Sequence, residues 1–311
     1  MILSVSRRTD IPNYYSDWFY ERIKEQFVYV KNPMNPRQVS KINLSSEVVD
    51  CIVFWSKNPR PMISRLDELS DYNFFFQFTL TGYGGIIEPN VPKELELIST
   101  FQNISKLIGS ERIIWRYDPI ILTDQHTIEY HIKYFKFLAS RLNGYTKKVI
   151  ISFLDSYPKI KRNMREFGMR VLLENEMLEL VKHLAQIAKE NNLLIETCAE
   201  IIDLGSYGVS KGSCIDYKYI ENLIGQKLTS TKDKYQREAC GCTESIDIGT
   251  YNTCYSGCKY CYANYRNAEL KENNIHDPNS PLLYGRLDET DKITERKVKS
   301  LIRSSNLWDF S

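Results

Sequence analysis

The stretch RIIWRYDPI, Arg112 to Ile120, contains the pattern that decides the fold. It begins with β-branched and aromatic residues over the length of one strand and ends in charged side chains and a proline. Runs of this kind, separated by longer segments of helical period, are typical of parallel strands joined by crossover helices. Because the pattern recurs through the chain, the sequence predicts an α/β fold built on a parallel sheet.

Seven such runs are predicted as strands: Ile2–Ser6, Val48–Trp55, Phe74–Leu80, Arg112–Tyr117, Lys148–Leu154, Leu193–Cys198 and Ser245–Ile248. Helices are predicted over Ile63–Leu69, Lys93–Ile108, His126–Leu142, Asn163–Asn191 and Tyr217–Leu223. Seven strand–helix units predict a complete or partial (β/α) barrel of the TIM type. An open doubly wound sheet is the alternative, although its glycine-rich phosphate turn is absent from the sequence.

The domain organisation follows from where the alternation of strands and helices is interrupted. Residues 1–271 are expected to form the barrel domain, including a cysteine loop over 240–265. Within it, FVYV and QVSKI flank the turn-like KNPMNPR, so a small hairpin is predicted over 27–44. Residues 272–311 are expected to be an extension that carries a charged helix around Thr294–Ile302.

Composition restricts the class of protein. Hydrophobic residues make up 42% of 311 residues, which excludes a disordered chain, and 41 basic residues nearly balance 39 acidic ones. The apolar start of MILSVSRRTDIP is too short for a secretory signal, and no run of about 18 apolar residues predicts a membrane span. We therefore expect a cytoplasmic protein whose eight cysteines are reduced and free to bind metal.

Polar side chains recur where the predicted strands end, in SRRTD, WSKNP, QFTLT, WRYDP, SFLDS and ETCAE. Catalytic residues of barrels gather at these ends, although such charges can equally meet solvent or pair across the mouth. The candidate catalytic residues are Arg7, Arg8, Asp10, Lys57, Arg116, Asp118, Asp155, Glu196 and Glu200.

The stretch CGCTESIDIGTYNTCYSGCKYCYANY, residues 240–265, holds five of the eight cysteines. Cys254, Cys258 and Cys261 form C-x3-C-x2-C, a spacing that lets three thiolates of one loop bind an iron–sulfur cluster. Gly257 permits a sharp loop path, and Tyr260 is expected to cover the cluster. Three ligands leave one iron of a four-iron cluster open for chemistry.

This loop resembles the cluster motif of the radical S-adenosylmethionine (SAM) enzymes. The resemblance implies a [4Fe–4S] cluster whose open iron chelates SAM, and a 5′-deoxyadenosyl radical that abstracts hydrogen from an unknown substrate. It also implies a one-electron donor such as a flavodoxin or ferredoxin. Candidate cofactor-binding residues, chosen by charge and position, are Tyr260, Arg7, Arg116, Glu196 and Glu200.

Over nearly its whole length the chain is similar to the bacterial family DUF1848, which shares SRRTDIP, FWSKNP, WRYDPI and ETCAE with it. In radical SAM enzymes the cysteine loop follows the first strand, whereas here it comes last. Because a barrel tolerates circular permutation, ESIDIG is predicted to lie beside the N-terminal strand, with the loop at the same mouth as SRRTD. No counterpart of the GGE segment that contacts SAM in that superfamily is evident.

Cys240 and Cys242 form a C-x-C pair that is expected either to make a second metal site or to cap the fourth iron. Zinc held by four of the five clustered cysteines is the structural alternative. Cys51 and Cys198 are predicted to be buried packing thiols, and Cys214 is expected to precede a helix.

Two other classes of function remain open. One is a non-catalytic iron–sulfur or zinc protein. The other is a nucleic-acid repair or modification protein, suggested by interleaved tyrosines and lysines in residues 217–238 and 258–267. The near-zero net charge favours a solvated helix face for those lysines.

Overall fold

The computed structural model describes residues 1–155, 157–264 and 276–303. In chain order the strands are β1 (Ile2–Val5), β2 (Phe27–Asn32), β3 (Asn35–Asn43), β4 (Cys51–Ser56), β5 (Phe74–Thr79), β6 (Ile113–Ile120), β7 (Lys148–Phe153), β8 (Leu194–Cys198), β9 (Ser210–Gly212), β10 (Ile246–Asp247) and β11 (Lys292–Glu295). The α-helices are α1 (Ile11–Tyr14), α2 (Ser16–Glu25), α3 (Gly84–Ile87), α4 (Glu94–Ile108), α5 (Ile128–Leu142), α6 (Pro158–Asn163), α7 (Glu174–Glu190) and α8 (Tyr217–Ile224).

Eight parallel strands form the main sheet in the order β10-β1-β4-β5-β6-β7-β8-β9. The order follows the chain from β1 to β9, and the last strand of the sheet, β10, returns to pair with the first. A doubly wound sheet reverses its order midway, so this arrangement is consistent with a partial barrel. Among the described residues, no ladder joins β9 to β10.

All seven segments predicted as strands overlap a strand of this sheet. The short β9 was not predicted, because Ser-Lys-Gly lacks the branched side chains that indicate a strand. The helix predicted as one element over Asn163–Asn191 is wrong. The chain forms α6, a left-handed turn at Gly168 with φ of +62°, and then α7.

The alternation of side chains along each strand gives the sheet two buried faces. One face, represented by Leu3, Phe76 and Trp115, packs on the α4, α5 and α7 helices. The opposite face, represented by Val53 and Ile114, packs against the segment around α8. Both faces are covered, as strands of a parallel sheet require.

A second, three-stranded sheet forms from β2, β3 and β11. The β2 and β3 strands are an antiparallel hairpin within the segment 27–44. The helix predicted around Thr294–Ile302 is wrong, because Lys292–Glu295 instead pairs in parallel with β3 as β11. Pairing satisfies the backbone groups along the free edge of β3, and this gain outweighs the local helical pattern of the sequence.

In the described part of the chain, every helix is too short or too polar to cross a bilayer.

His131 on α5 is fully buried and gives the fold a pH-dependent stability. Its Nδ1 lies 2.8 Å from the Tyr117 hydroxyl, and its Nε2 lies 2.9 Å from the Ile121 carbonyl. Burial lowers the pKa of His131 from 6.5 to about 4. Below pH 6.5 the unfolded chain therefore binds a proton that the folded chain accepts only near pH 4.

We predict that the free energy of unfolding loses about 3 kcal/mol from this group as the pH falls from 7 to 4. The variant His131→Gln should lack this increment, so its unfolding free energy should depend less on pH over that range. Denaturant titrations at several pH values measure the slope. His183→Gln, at an exposed position of α7, should keep the wild-type slope. Equal slopes for His131→Gln and wild type would show that His131 does not titrate in this way.

Candidate metal centre at the carboxyl ends of the strands

The Asp247 carboxylate joins the end of β10 to the end of β1. It accepts hydrogen bonds from the hydroxyls of Ser4 (2.8 Å) and Ser6 (2.5 Å) and from the backbone N–H of Arg7 (2.8 Å). The carboxylate oxygen that accepts from Ser6 also accepts from the backbone N–H of Gly249, at 3.0 Å. Four donors to one buried carboxylate fix the start of the cysteine loop against the N-terminal strand.

Further contacts place the whole loop beside the SRRTD segment. The Tyr262 hydroxyl donates to the Arg7 carbonyl at 2.6 Å, and the Arg8 guanidinium donates to the Gly249 carbonyl at 3.3 Å. A Cβ on Gly249 would lie 2.0 Å from Ser6 Oγ, so only glycine permits this approach. The prediction that ESIDIG lies beside the first strand, with the loop at the mouth of SRRTD, is confirmed by the pairing of Leu3 with Ile246 and by these contacts.

The three loop thiols lie close enough for the charge of one to act on the pKa of another. Burial raises the pKa of Cys254 to about 11 and the pKa of Cys258 well above its ordinary value. The backbone N–H of Ala263 donates to Cys261 Sγ at 3.3 Å, and Gly257 adopts the left-handed φ of +68° that the loop path needs. All three cysteines are free thiols.

Across residues 1–155, 157–264 and 276–303, no three His, Cys, Asp or Glu side chains are arranged so that they could hold a metal ion as they stand. Metal binding at the loop therefore requires the thiols to lose their protons and their side chains to reorient. The donor set itself fits an iron–sulfur cluster, because three soft ligands come from one short loop and one of them already accepts an N–H bond.

A buried ion pair lies directly beside Cys258. The Lys57 ammonium contacts Glu88 Oε1 at 2.9 Å and Thr81 Oγ1 at 3.3 Å, and it lies 5.7 Å from the centre of the Tyr260 ring. The Tyr260 hydroxyl also donates to Glu88. Burial disfavours the ammonium, but the charge and hydrogen bond of Glu88, together with other nearby acidic groups, outweigh it, so the pKa of Lys57 is raised. The cysteine loop thus lies beside a buried ion pair, and a further cation, the Lys159 ammonium, donates to the Cys261 carbonyl at 2.9 Å.

Asp10 connects this pair to the SRRTD segment. Its carboxylate caps α1 by accepting from the Asn13 N–H at 3.1 Å and also accepts from the Lys57 backbone N–H at 2.8 Å. Burial raises the pKa of Asp10 to about 6, although these N–H donors oppose the shift. Asp10 therefore positions the turn that carries Lys57.

A second polar group lies at the same end of the sheet, around Arg116. Its guanidinium pairs with Asp118, which in turn accepts from Ser152, and it lies 5.1 Å from the Trp55 ring centre. The Arg7 guanidinium approaches the same Trp55 ring at 6.0 Å. Two of the predicted SAM-binding cations therefore flank one aromatic ring, and both are already partnered by carboxylates.

The other predicted residues take structural partners. Glu196 pairs with Lys148 at 2.8 Å, although its Oε2 atom has no hydrogen-bond partner. Glu200 accepts from the Phe153 N–H at 2.8 Å, and burial raises its pKa. Asp155 makes an ion pair with Arg237 in which both side chains are about half exposed.

Cys240 and Cys242 do not join the three loop cysteines. Both pack with Cys214 in the apolar cluster on the α8 side of the sheet, whereas Cys258 and Cys261 belong to a separate cluster with Tyr260. The expectation that one of the pair caps the fourth iron is therefore wrong, because tertiary packing separates residues only twelve positions apart in the sequence.

Sequence reasoning missed Glu88 and the role of Asp247. Glu88 directly follows the single helical turn α3, which is too short for a periodicity that would mark a functional residue. Asp247 lies within ESIDIG and alternates with Ile246 and Ile248, so its position on the polar face of a strand was available from the sequence.

The model of one family, described as "Domain of unknown function (DUF1848)", matches residues 2–263 of the chain. A search of curated proteins finds none that matches.

We predict that Lys57→Met lowers the free energy of unfolding by about 3 kcal/mol, because it leaves the Glu88 carboxylate buried without its cation. The double variant Lys57→Met/Glu88→Gln, which removes both charges, should recover most of this loss. Chemical denaturation measures both values.

Arg170→Met is the matched control, because its pairing with Glu176 is exposed and should be worth under about 1 kcal/mol. If Lys57→Met proved as stable as wild type, the buried ion pair would not stabilise the site.

Proposed function

The chain belongs to the DUF1848 family, and we propose that it is a radical-SAM-like enzyme whose Cys254, Cys258 and Cys261 hold a [4Fe–4S] cluster. The observation that carries the proposal is the position of the loop. Three soft ligands in a motif spacing lie at the carboxyl end of β1, where Asp247 fixes them. Active sites of barrels lie at this end of the strands.

The surroundings of the loop suit a reactive cofactor. Tyr260 and Tyr83 pack edge to face at 5.7 Å, and both belong to the apolar cluster that contains Cys258 and Cys261. Aromatic side chains at such a position exclude water from a reactive centre. When bound and reduced, a cluster of this kind supplies the electron that cleaves SAM into methionine and a 5′-deoxyadenosyl radical.

The Lys57–Glu88 pair supports SAM as the ligand. The methionine part of SAM carries a carboxylate and an amino group, and the pair beside Cys258 offers one cation and one hydrogen-bond acceptor. An amino group that ligates the open iron would be neutral, so Glu88 would accept a hydrogen bond from it while staying paired with Lys57, and the buried charges stay compensated. We infer that Lys57 contacts the SAM carboxylate and that Glu88 accepts from the amino N–H.

Arg116, whose guanidinium lies 5.1 Å from the centre of the Trp55 ring, is suited to an anionic substrate. Its guanidinium is buried and held by Asp118 and Gln77, with Nη1 3.4 Å from Gln77 Oε1. A guanidinium held in this way presents its remaining donors at a fixed angle.

An exposed basic cleft beside the cysteine loop fits the electron donor that this chemistry needs. Three cations, one acid and one amide line it: Arg162, Arg165, Lys259, Glu166 and Asn163. Lys259 is the residue that follows Cys258 in the loop. Positive clefts attract acidic electron carriers such as flavodoxins and ferredoxins by electrostatic steering.

In the first segment that suggested nucleic-acid binding, residues on α8 are taken up by packing, whereas Tyr235 is exposed. Tyr219 on α8 contacts Phe75 edge to face at 5.0 Å, and Ile220 is fully buried. The second segment, 258–267, lies partly outside the described residues. We therefore do not propose a nucleic-acid function.

We predict that anaerobically reconstituted protein, given dithionite and SAM, releases 5′-deoxyadenosine, and that Cys258→Ala loses both bound iron and this product. Iron analysis and chromatography of the reaction measure the two quantities. Cys51→Ala is the matched control, because Cys51 is a fully buried thiol at the start of β4. Cluster-loaded wild type that releases no 5′-deoxyadenosine would refute SAM cleavage, and iron retained by Cys258→Ala would refute the ligand assignment.

We also predict that Arg162→Glu/Arg165→Glu slows electron delivery from an acidic flavodoxin about tenfold at low salt, because it reverses the charge of the cleft. Stopped-flow reduction of the cluster measures the rate, with dithionite as the donor that needs no docking. Lys182→Glu/Lys189→Glu, on the exposed face of α7, is the control. Equal slowing in both variants would place the docking surface elsewhere.

A further inference from the structure

We propose that Cys198, Cys214, Cys240 and Cys242 form a second metal site, a tetrathiolate that binds a single zinc ion. The sequence suggested only the Cys240–Cys242 pair, whereas the fold brings two further thiols to it. This inference does not depend on the proposed function, because the site lies in a different cluster from the loop cysteines.

The four thiols lie in one cluster on the α8 side of the sheet. Cys198 Sγ and Cys214 Sγ are 2.7 Å apart, and Cys214, Cys240 and Cys242 are buried in the cluster against which Cys198 packs. Four soft ligands from three separate segments, the ligand set of structural zinc sites, are thus close together. Among the described residues they are not arranged to hold a metal ion as they stand, so zinc binding requires their side chains to reorient.

Backbone hydrogen bonds hold the segment of Cys214 against the segment of Cys240 and Cys242. The Thr243 N–H donates to the Ile215 carbonyl at 2.9 Å, and the Ile215 N–H donates to Cys242 Sγ at 3.4 Å. A Cβ on Gly241 would lie 2.5 Å from Ser213 Oγ, so the glycine between the two cysteines permits the close passage. An N–H bond to a cysteine sulfur stabilises the thiolate form that a metal requires.

The position of the site gives it a structural role. Cys198 ends β8, Cys214 follows β9, and Cys240 and Cys242 precede β10. The sheet order begins with β10 and ends with β9, and no ladder joins those two strands in the described residues. A metal held by these four cysteines would therefore link the two ends of the sheet.

Two cations lie next to the thiols. Arg116 Nη1 donates to Cys214 Sγ at 2.9 Å, and the charge of Arg7 acts on Cys240. Four thiolates and one zinc ion carry a net charge of −2, which guanidinium groups at this distance stabilise. Asp118, which pairs with Arg116, reduces this effect without removing it.

The spacing of the sulfurs favours a single ion over an iron–sulfur cluster. Tetrahedral zinc with Zn–S bonds of about 2.3 Å places its sulfurs about 3.8 Å apart. Cys198 Sγ and Cys214 Sγ are 2.7 Å apart, so zinc binding needs these two sulfurs to separate by about 1 Å. A four-iron cluster would have to push all four much further apart. A disulfide, by contrast, needs a sulfur–sulfur distance of about 2.0 Å and leaves Cys240 and Cys242 unexplained.

The test is metal analysis of the full-length protein, purified under reducing conditions after growth with added zinc. We expect one zinc per chain in wild type, in Cys258→Ser and in Cys51→Ser, and less than a tenth of that in Cys214→Ser and Cys242→Ser. Zinc retained in Cys214→Ser and Cys242→Ser would overturn the proposal. Because those variants alter a buried site, zinc K-edge X-ray absorption of wild type gives a second, independent measurement.

That spectrum should contain only sulfur neighbours, at about 2.3 Å. Nitrogen or oxygen neighbours, zinc absent from wild type, iron bound by these cysteines, or a Cys198–Cys214 disulfide in the reduced protein would each overturn the site. Loss of zinc from Cys258→Ser would also count against it. Loss of 5′-deoxyadenosine formation without loss of zinc would concern the cysteine loop alone.

Discussion

The bond network around the Asp247 carboxylate is the constraint on which the candidate site depends. This buried carboxylate accepts hydrogen bonds from two serine hydroxyls, in β1 and in the turn after it. It also accepts from two backbone N–H groups, those of Arg7 and Gly249. These four bonds hold the late cysteine loop at the carboxyl end of β1. They act together with the pairing of β10 and β1 and with the contacts of Tyr262 and Arg8.

This connection explains how a loop near the end of the chain can occupy the place that follows a first strand. Because β10 pairs in parallel with β1, the two strands are neighbours in the sheet although they are far apart in the sequence. The loop then meets Asp10 and Lys57, which come from the turns after β1 and β4. The residues that surround Cys258 are thus drawn from distant segments that share only one end of a parallel sheet.

Much of the fold could be predicted from the sequence, because buried parallel strands have a strong local signal. The runs before Arg7, Lys57 and Arg116 are apolar and β-branched, and each contains a strand of the sheet. The short β9 and the pairing of β11 have no such signal, since both depend on edges offered by other strands. The same distinction applies to the candidate sites. The cysteine spacing can be found in the local sequence, whereas the contacts of Cys198 with Cys214 and of Lys57 with Glu88 depend on the tertiary structure.

The central claim is that three thiolates hold an iron cluster with one open coordination position. A Mössbauer spectrum of protein reconstituted with ⁵⁷Fe, recorded with and without SAM, tests it most directly. The account predicts that one iron in four changes its isomer shift when SAM is added, while the other three keep theirs. Four irons that remain equivalent, or an iron content that does not depend on the loop cysteines, would contradict it.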